Sequence, residues 1–83
     1  MTIEPITEYN IVRLMLSELK KFKDQRADII PLRVYISWRT YNCLKHAPAE
    51  HTRGLFTDNG FFDKIPITID SFISDEVIYY TME

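Results

Sequence analysis

The chain has 83 residues, a formal net charge of −2, 46% hydrophobic residues and 27% charged residues. This length fits one small domain, and a single cysteine excludes a disulfide framework and a four-cysteine metal site. No apolar run approaches the roughly 18 residues that a membrane helix needs. With a free thiol and no signal-like start, we expect an intracellular protein.

The first predicted element is an amphipathic helix over residues 8–24. Thr7 is its expected N-cap residue. We expect one face of the helix to pack on a sheet. The apolar residues of that face recur at three- and four-residue spacings, at Ile11, Val12, Met15, Leu16, Leu19 and Phe22.

The next predicted element is a strand over residues 32–36, where apolar and polar side chains alternate. Tyr35 is expected to be exposed on the outer side of this strand. The residues expected to face the helix are Leu32, Val34 and Ile36.

A second, short helix is predicted over residues 38–46, with Ser37 as its N-cap residue. Tyr41 and Leu44 are expected to point inward. Trp38, in the first turn, is expected to pack in the core because its ring offers a large apolar area.

The second half of the chain is predicted to form strands. Residues 47–54 form a loop in this interpretation, followed by a hairpin over residues 55–63. Asn59 and Gly60 supply the turn signal, because both central residues of such a turn must accept a positive φ. Two further strands are predicted over residues 65–70 and 77–82.

These elements predict an α+β fold for residues 1–83 as a single domain. The N-terminal amphipathic helix packs on a small, mostly antiparallel sheet of three to five strands, and the second short helix accompanies it. The sequence leaves the strand order and the oligomeric state open.

Few residues of the sequence point to catalytic chemistry. Cys43, His46 and His51 have the spacing C-x2-H-x4-H, which lacks a matching fourth metal ligand. Cys43 and His46, three residues apart on a helix, form at most a thiol–imidazole pair without an oxyanion loop. Glycine-rich phosphate loops and G-x-S-x-G elbows are missing. We therefore expect no enzyme, no cofactor and no metal.

The charges are unevenly distributed. Residues 29–57 carry four cations against one carboxylate, and residues 58–83 carry six carboxylates against one cation. Either the two regions lie side by side and partly cancel, or the acidic region steers a basic partner. Nucleic-acid binding is disfavoured, because phosphate contacts need a surplus of Lys and Arg.

Residues 32–82 resemble the axial domain of tailed-phage major capsid proteins. Residues 34–44 (VYISWRTYNCL) resemble its strand followed by a helix with Y-x-x-L, and residues 62–70 (FDKIPITID) and 74–80 (SDEVIYY) resemble its later strands. Asp63 stands near a position where that family tends to have Gly. The resemblance implies a phage origin and a protein-contacting, non-catalytic role.

The leading hypothesis is a phage-encoded protein-binding module in the host cytoplasm. It would act on a host or phage protein as an accessory factor, an inhibitor or a trigger sensed by host defence. A minor virion or head protein is the alternative, and a metal- or thiol-dependent enzyme is less favoured.

This hypothesis rests on the number of aromatic residues. The chain has five Phe, five Tyr and one Trp, which is more aromatic side chains than a core of this size encloses. The predicted contact residues are the aromatics Tyr35, Phe56, Phe61, Phe62 and Tyr80, rimmed by Asp58, Asp63 and Asp75.

Overall fold

The computed structural model of the chain describes residues 5–57 and 59–82. In chain order, the elements are α1 (Ile11–Gln25), β1 (Arg33–Ile36), α2 (Trp38–Lys45), α3 (Ala49–Thr52), β2 (Phe56–Thr57), β3 (Phe61–Phe62), β4 (Ile65–Ile69) and β5 (Tyr79–Thr81). The predicted α+β class is confirmed. The short helix α3 lies in the segment that the sequence predicted as a loop.

The five strands form one mixed sheet in the order β2-β3-β4-β1-β5. β1 lies between β4, to which it is parallel, and β5, to which it is antiparallel. The β2–β3 and β3–β4 pairs are antiparallel. A parallel pair needs a long crossover, and here the crossover between β1 and β4 contains both short helices and the β2–β3 hairpin.

The core lies on one face of this sheet. α1 contributes five buried residues, Ile11, Val12, Met15, Leu19 and Phe22. The strands, α2 and the N-terminal segment add Ile6, Val34, Ile36, Leu44, Phe62, Ile65 and Tyr80. Leu16, predicted for the packed face, is exposed at the margin of the stripe.

Two residues predicted to be inward-facing lie on the surface. Leu32 is exposed because β1 begins at Arg33, so the alternation of the strand does not reach it. Trp38 is 57% exposed, because its ring stacks on Tyr41 with a centroid separation of 5.9 Å and does not enter the core. The core closes around Leu44 of α2 instead.

The two predicted helix starts have different outcomes. Ser37 is the N-cap residue of α2, and its Oγ accepts the Thr40 N–H at 3.1 Å, as predicted. For α1 the prediction of Thr7 is wrong, because Asn10 is the N-cap residue. The Thr7 carbonyl accepts the N–H groups of Asn10 and Ile11, so Thr7 closes the turn that precedes the helix.

Both hairpin turns use left-handed residues. Gly60, the second residue of the predicted turn pair, has a positive φ of 84°. Thr57 pairs with Phe61, so three residues join β2 and β3, and a three-residue connection needs its left-handed residue at the end. β3 and β4 are joined by Asp63 and Lys64, with φ of 50° and 68°. Positive φ at both central residues is the mark of a type I′ turn.

We predict that Lys64→Gly stabilises the fold. A left-handed L-residue costs about 1–2 kcal/mol, whereas a glycine loses about 0.5–1 kcal/mol more backbone entropy. The substitution should therefore raise the free energy of unfolding by about 0.5–1 kcal/mol, which thermal or urea unfolding would detect. The same substitution at exposed Lys20 in the interior of α1 is the matched control and should lower stability by about 1 kcal/mol. Equal losses at both positions would contradict the turn assignment.

Candidate protein-binding surfaces

The strand registers place one set of side chains on the sheet face opposite the core. Tyr35 pairs with Thr68 of β4 and with Tyr79 of β5, and directly paired residues share a face. We call this surface the open face. Its residues are Arg33, Tyr35, Thr57, Phe61, Pro66, Thr68, Tyr79 and Thr81.

Aromatic rings are accessible on the open face. Tyr79 is 55% exposed, Phe61 is 38% exposed and Tyr35 is half-buried. The rings of Tyr35 and Tyr79 lie side by side on neighbouring strands, with a centroid separation of 6.2 Å. Of the open-face residues, Thr81 alone is buried. The face therefore exposes apolar area that the helices, which pack on the other side, leave uncovered.

The open face carries little charge. Among its residues, all of which the structure describes, Arg33 supplies a cation and there is no carboxylate. The exposed ring of Phe61 also lines a hollow of about 440 Å³ with Leu55 and Lys64, beside the edge strand β2. The surface thus combines aromatic rings, threonine hydroxyls and a shallow apolar recess.

A second surface lies at the end of the sheet where β1 and β4 finish. The loop 70–78 joins β4 to β5 there, and its Asp70 N–H donates to the Ile36 carbonyl at 2.9 Å. The Thr40 hydroxyl donates to the Asp75 carbonyl at 2.8 Å, which attaches the loop to α2. Residues 37–40 and 70–75 are therefore neighbours, although they are about 35 positions apart in the sequence.

Exposed apolar side chains and carboxylates meet at this second surface, which we call the acidic end. Phe72 is 97% exposed, and Asp75 and Glu76 are exposed as well. The residues of the acidic end are Trp38, Ile69, Asp70, Phe72, Asp75, Glu76 and Val77, and each of its apolar members is exposed.

The predicted contact residues are distributed over several environments. Tyr35 and Phe61 lie on the open face, Asp75 lies at the acidic end, and Asp63 is half-buried in the β3–β4 turn. Phe56 is half-buried on the core side, where its ring meets Tyr41 edge-on at 5.8 Å. Asp58 lies outside the described residues.

Two of the predicted contact residues require correction. Phe62 is fully buried and Tyr80 is almost fully buried, so neither ring is available to a partner. Phe62 pairs with Phe56 and Ile65, and Tyr80 pairs with Val34, all on the core side of the sheet. Because strand side chains alternate, the neighbours Phe61 and Tyr79 point outward instead.

On the open face and at the acidic end, three exposed aromatics are missing from the predicted contact residues. Tyr79 follows from the alternation of β5 once Tyr80 is assigned to the core. Trp38 was assigned to the core because of its size. Phe72 lies between the strands predicted over residues 65–70 and 77–82, and a large apolar residue in such a connection is the signal that marks it.

Tyr80 has an altered ionisation equilibrium as well as a buried ring. Its hydroxyl donates to the Met15 carbonyl of α1 at 2.9 Å. Burial, together with the carboxylates of Asp63 and Glu18, raises the pKa of Tyr80 well above its ordinary value. The phenol therefore stays neutral and serves as a hydrogen-bond donor between β5 and α1.

We predict that stability falls at alkaline pH because of Tyr80. A raised folded-state pKa contributes stability that is fully present below the unfolded pKa of about 10 and is lost as the pH rises toward the folded pKa. Tyr80→Phe should flatten this alkaline decline and cost about 1 kcal/mol at pH 7 through the lost hydrogen bond. Urea unfolding at several pH values measures both effects.

Tyr79→Phe is the matched control, because it removes an exposed hydroxyl from the adjacent position. Its stability at pH 7 should stay within about 0.5 kcal/mol of the parent chain. An alkaline decline as steep in Tyr80→Phe as in the parent would contradict the assignment to Tyr80.

The Cys43, His46 and His51 cluster is not brought together as a metal site. His46 Nδ1 lies 2.8 Å from the Asn42 carbonyl, so the imidazole donates to the end of α2. Cys43 and His46 line one hollow of about 410 Å³, whereas His51 lines a different one beside Leu16. Within residues 5–57 and 59–82, no group of three or more His, Cys, Asp or Glu is arranged to hold a metal ion.

In comparisons with known proteins, no family model, no curated protein and no solved structure matches the chain. Among the described helices, none combines the length and the apolar character that spanning a bilayer requires.

Proposed function

We propose that this chain is a non-enzymatic protein-binding domain that uses its open face as a docking surface. The observation that carries the proposal is the Tyr35–Tyr79 pair, two neighbouring rings on a sheet face whose side chains are mostly accessible. Tyrosine is enriched at protein interfaces because it offers a large apolar area and a polar tip. A partner that covers the face would remove this area from water.

Charge favours a protein over a nucleic acid as the occupant of the open face. Arg33 is the one cation among the open-face residues, and the whole chain has a net charge of −2. Backbone phosphates are held by several Lys and Arg side chains, and this face does not offer them. A largely neutral surface of rings and hydroxyls is typical of the central part of a protein interface.

The proposed setting is the cytoplasm of an infected bacterium. This step relies on the resemblance of residues 32–82 to the axial domain of phage capsid proteins, which implies a phage origin. The partner is then a host or phage protein. The chain would act as an accessory factor, an inhibitor or a trigger of host defence.

We predict that the double variant Tyr35→Ser/Tyr79→Ser loses partner binding but keeps its fold. Truncation of central aromatic residues costs interfaces more than about 2 kcal/mol, which is about thirtyfold in affinity. The immobilised chain would first capture partners from lysate of the infected host, and the captured protein would then be purified for calorimetric titration. Thermal unfolding should show that the variant remains folded, with a loss of about 1 kcal/mol from the cross-strand pair.

Tyr9→Ser is the matched control, because Tyr9 is an exposed tyrosine on the turn before α1, on the helix side of the molecule. It should bind as tightly as the parent chain. Equal affinity of the double variant and the parent, or no stoichiometric partner, would contradict the proposal. Capture that disappears on nuclease treatment would point to a nucleic acid instead.

A further inference from the structure

The acidic end places a nearly fully exposed aromatic ring among other exposed apolar side chains. A lone apolar residue on a surface is ordinary. Phe72, however, is 97% exposed in the same short loop as Val77, which is also exposed. Trp38, in the first turn of α2, lies in the sequence between Ile36 and Thr40. Ile36 and Thr40 each form a hydrogen bond with the loop 70–78. These exposed apolar side chains therefore belong to neighbouring segments of the surface, and the ring of Phe72 protrudes from it.

Hydrogen bonds within the loop and from α2 order the segment that carries Phe72. The Phe72 N–H donates to Asp70 Oδ1 at 2.9 Å, next to the ring itself. Farther along, the Glu76 N–H donates to Ser74 Oγ at 3.3 Å, and the Asp75 carbonyl accepts the Thr40 hydroxyl. A ring presented on a fixed loop loses less conformational entropy on binding than a ring on a mobile one.

The charges around the ring have one dominant sign. Asp70, Asp75 and Glu76 lie within seven positions of the chain, and residues 65–82 contain no Lys or Arg. Arg39, in the first turn of α2, is the neighbouring cation. The exposed Phe72 ring is therefore flanked mainly by carboxylates, and a complementary surface carries Lys and Arg around an apolar recess.

We infer that Phe72 is an anchor that inserts into an apolar pocket of a partner protein, and that Lys and Arg residues around this pocket face Asp70, Asp75 and Glu76. This inference rests on the proposed function and specifies the chemistry of the partner. Charge disfavours anionic lipid surfaces and nucleic acids as occupants, since the carboxylates would repel both.

The test is site-specific photo-crosslinking in the full chain. A photoreactive benzoylphenylalanine replaces Phe72 in one sample, Tyr79 in a second and Ile30 in a third. Ile30 is the control, because it is exposed and precedes the first residue of β1, whereas the acidic end adjoins the last residue of β1. Irradiation in lysate of the infected host is followed by mass spectrometry of the crosslinked peptides.

The expected result is a protein crosslinked at position 72 through a segment that lines an apolar pocket with Lys and Arg at its rim. With that protein purified, Phe72→Ala should weaken binding at least tenfold, whereas Ile30→Ala should change it less than twofold. Asp75→Asn/Glu76→Gln should slow association several-fold at low salt and have little effect at high salt. Because Phe72 makes almost no internal contact, its variant should unfold at the same temperature as the parent.

Other outcomes overturn the inference in distinguishable ways. A partner crosslinked at position 79 but not at position 72, or bound equally by Phe72→Ala, leaves the proposed function standing and removes Phe72 as an anchor. Crosslinks from position 72 to a second copy of this chain, to nucleic acid or to lipid show a different occupant. If no protein is crosslinked at either position, that result contradicts both the inference and the proposed function.

Discussion

The structure depends on one constraint, which is that its helices pack on one face of the sheet. A single helix of 15 residues packs on one face of a five-stranded sheet, and the short helix α2 adds Leu44 to the same core. A sheet buried on one side needs an alternating pattern, and β1 shows it in Val34 and Ile36 against Arg33 and Tyr35. The opposite face then carries rings that no helix within residues 5–57 and 59–82 covers. The open face follows from that limit.

Much of the fold was predictable because local signals and tertiary packing agree. The three- and four-residue spacing that ends in Leu19 and Phe22 predicted α1, and a serine ahead of α2 predicted its cap. The predictions failed at the ends of elements, where a shift of one residue decides whether a side chain is buried or caps a helix. Leu32 precedes β1 and leaves the core, and Asn10 takes the capping position expected for Thr7. Such boundaries depend on hydrogen bonds that sequence periodicity does not encode.

The candidate site was harder to predict than the fold, for a specific physical reason. Adjacent aromatics in a strand point to opposite faces, so the dipeptides Phe61-Phe62 and Tyr79-Tyr80 each contain one core residue and one surface residue. Composition predicts that rings are in surplus but not which member of a pair is outside. The assignment needs the register, and the register of β3 is set by a type I′ turn at Asp63 and Lys64 that contains no glycine.

The hydrogen bond from the Thr40 hydroxyl to the Asp75 carbonyl makes the loop 70–78 depend on a distant part of the chain. Fraying of the first turn of α2 would release this attachment. The loop could then lose its order while the sheet remains intact. Linkage makes the dependence reciprocal. Any molecule that selects the ordered loop also holds the first turn of α2 in place, which would slow amide hydrogen exchange around Thr40, far along the sequence from the point of contact.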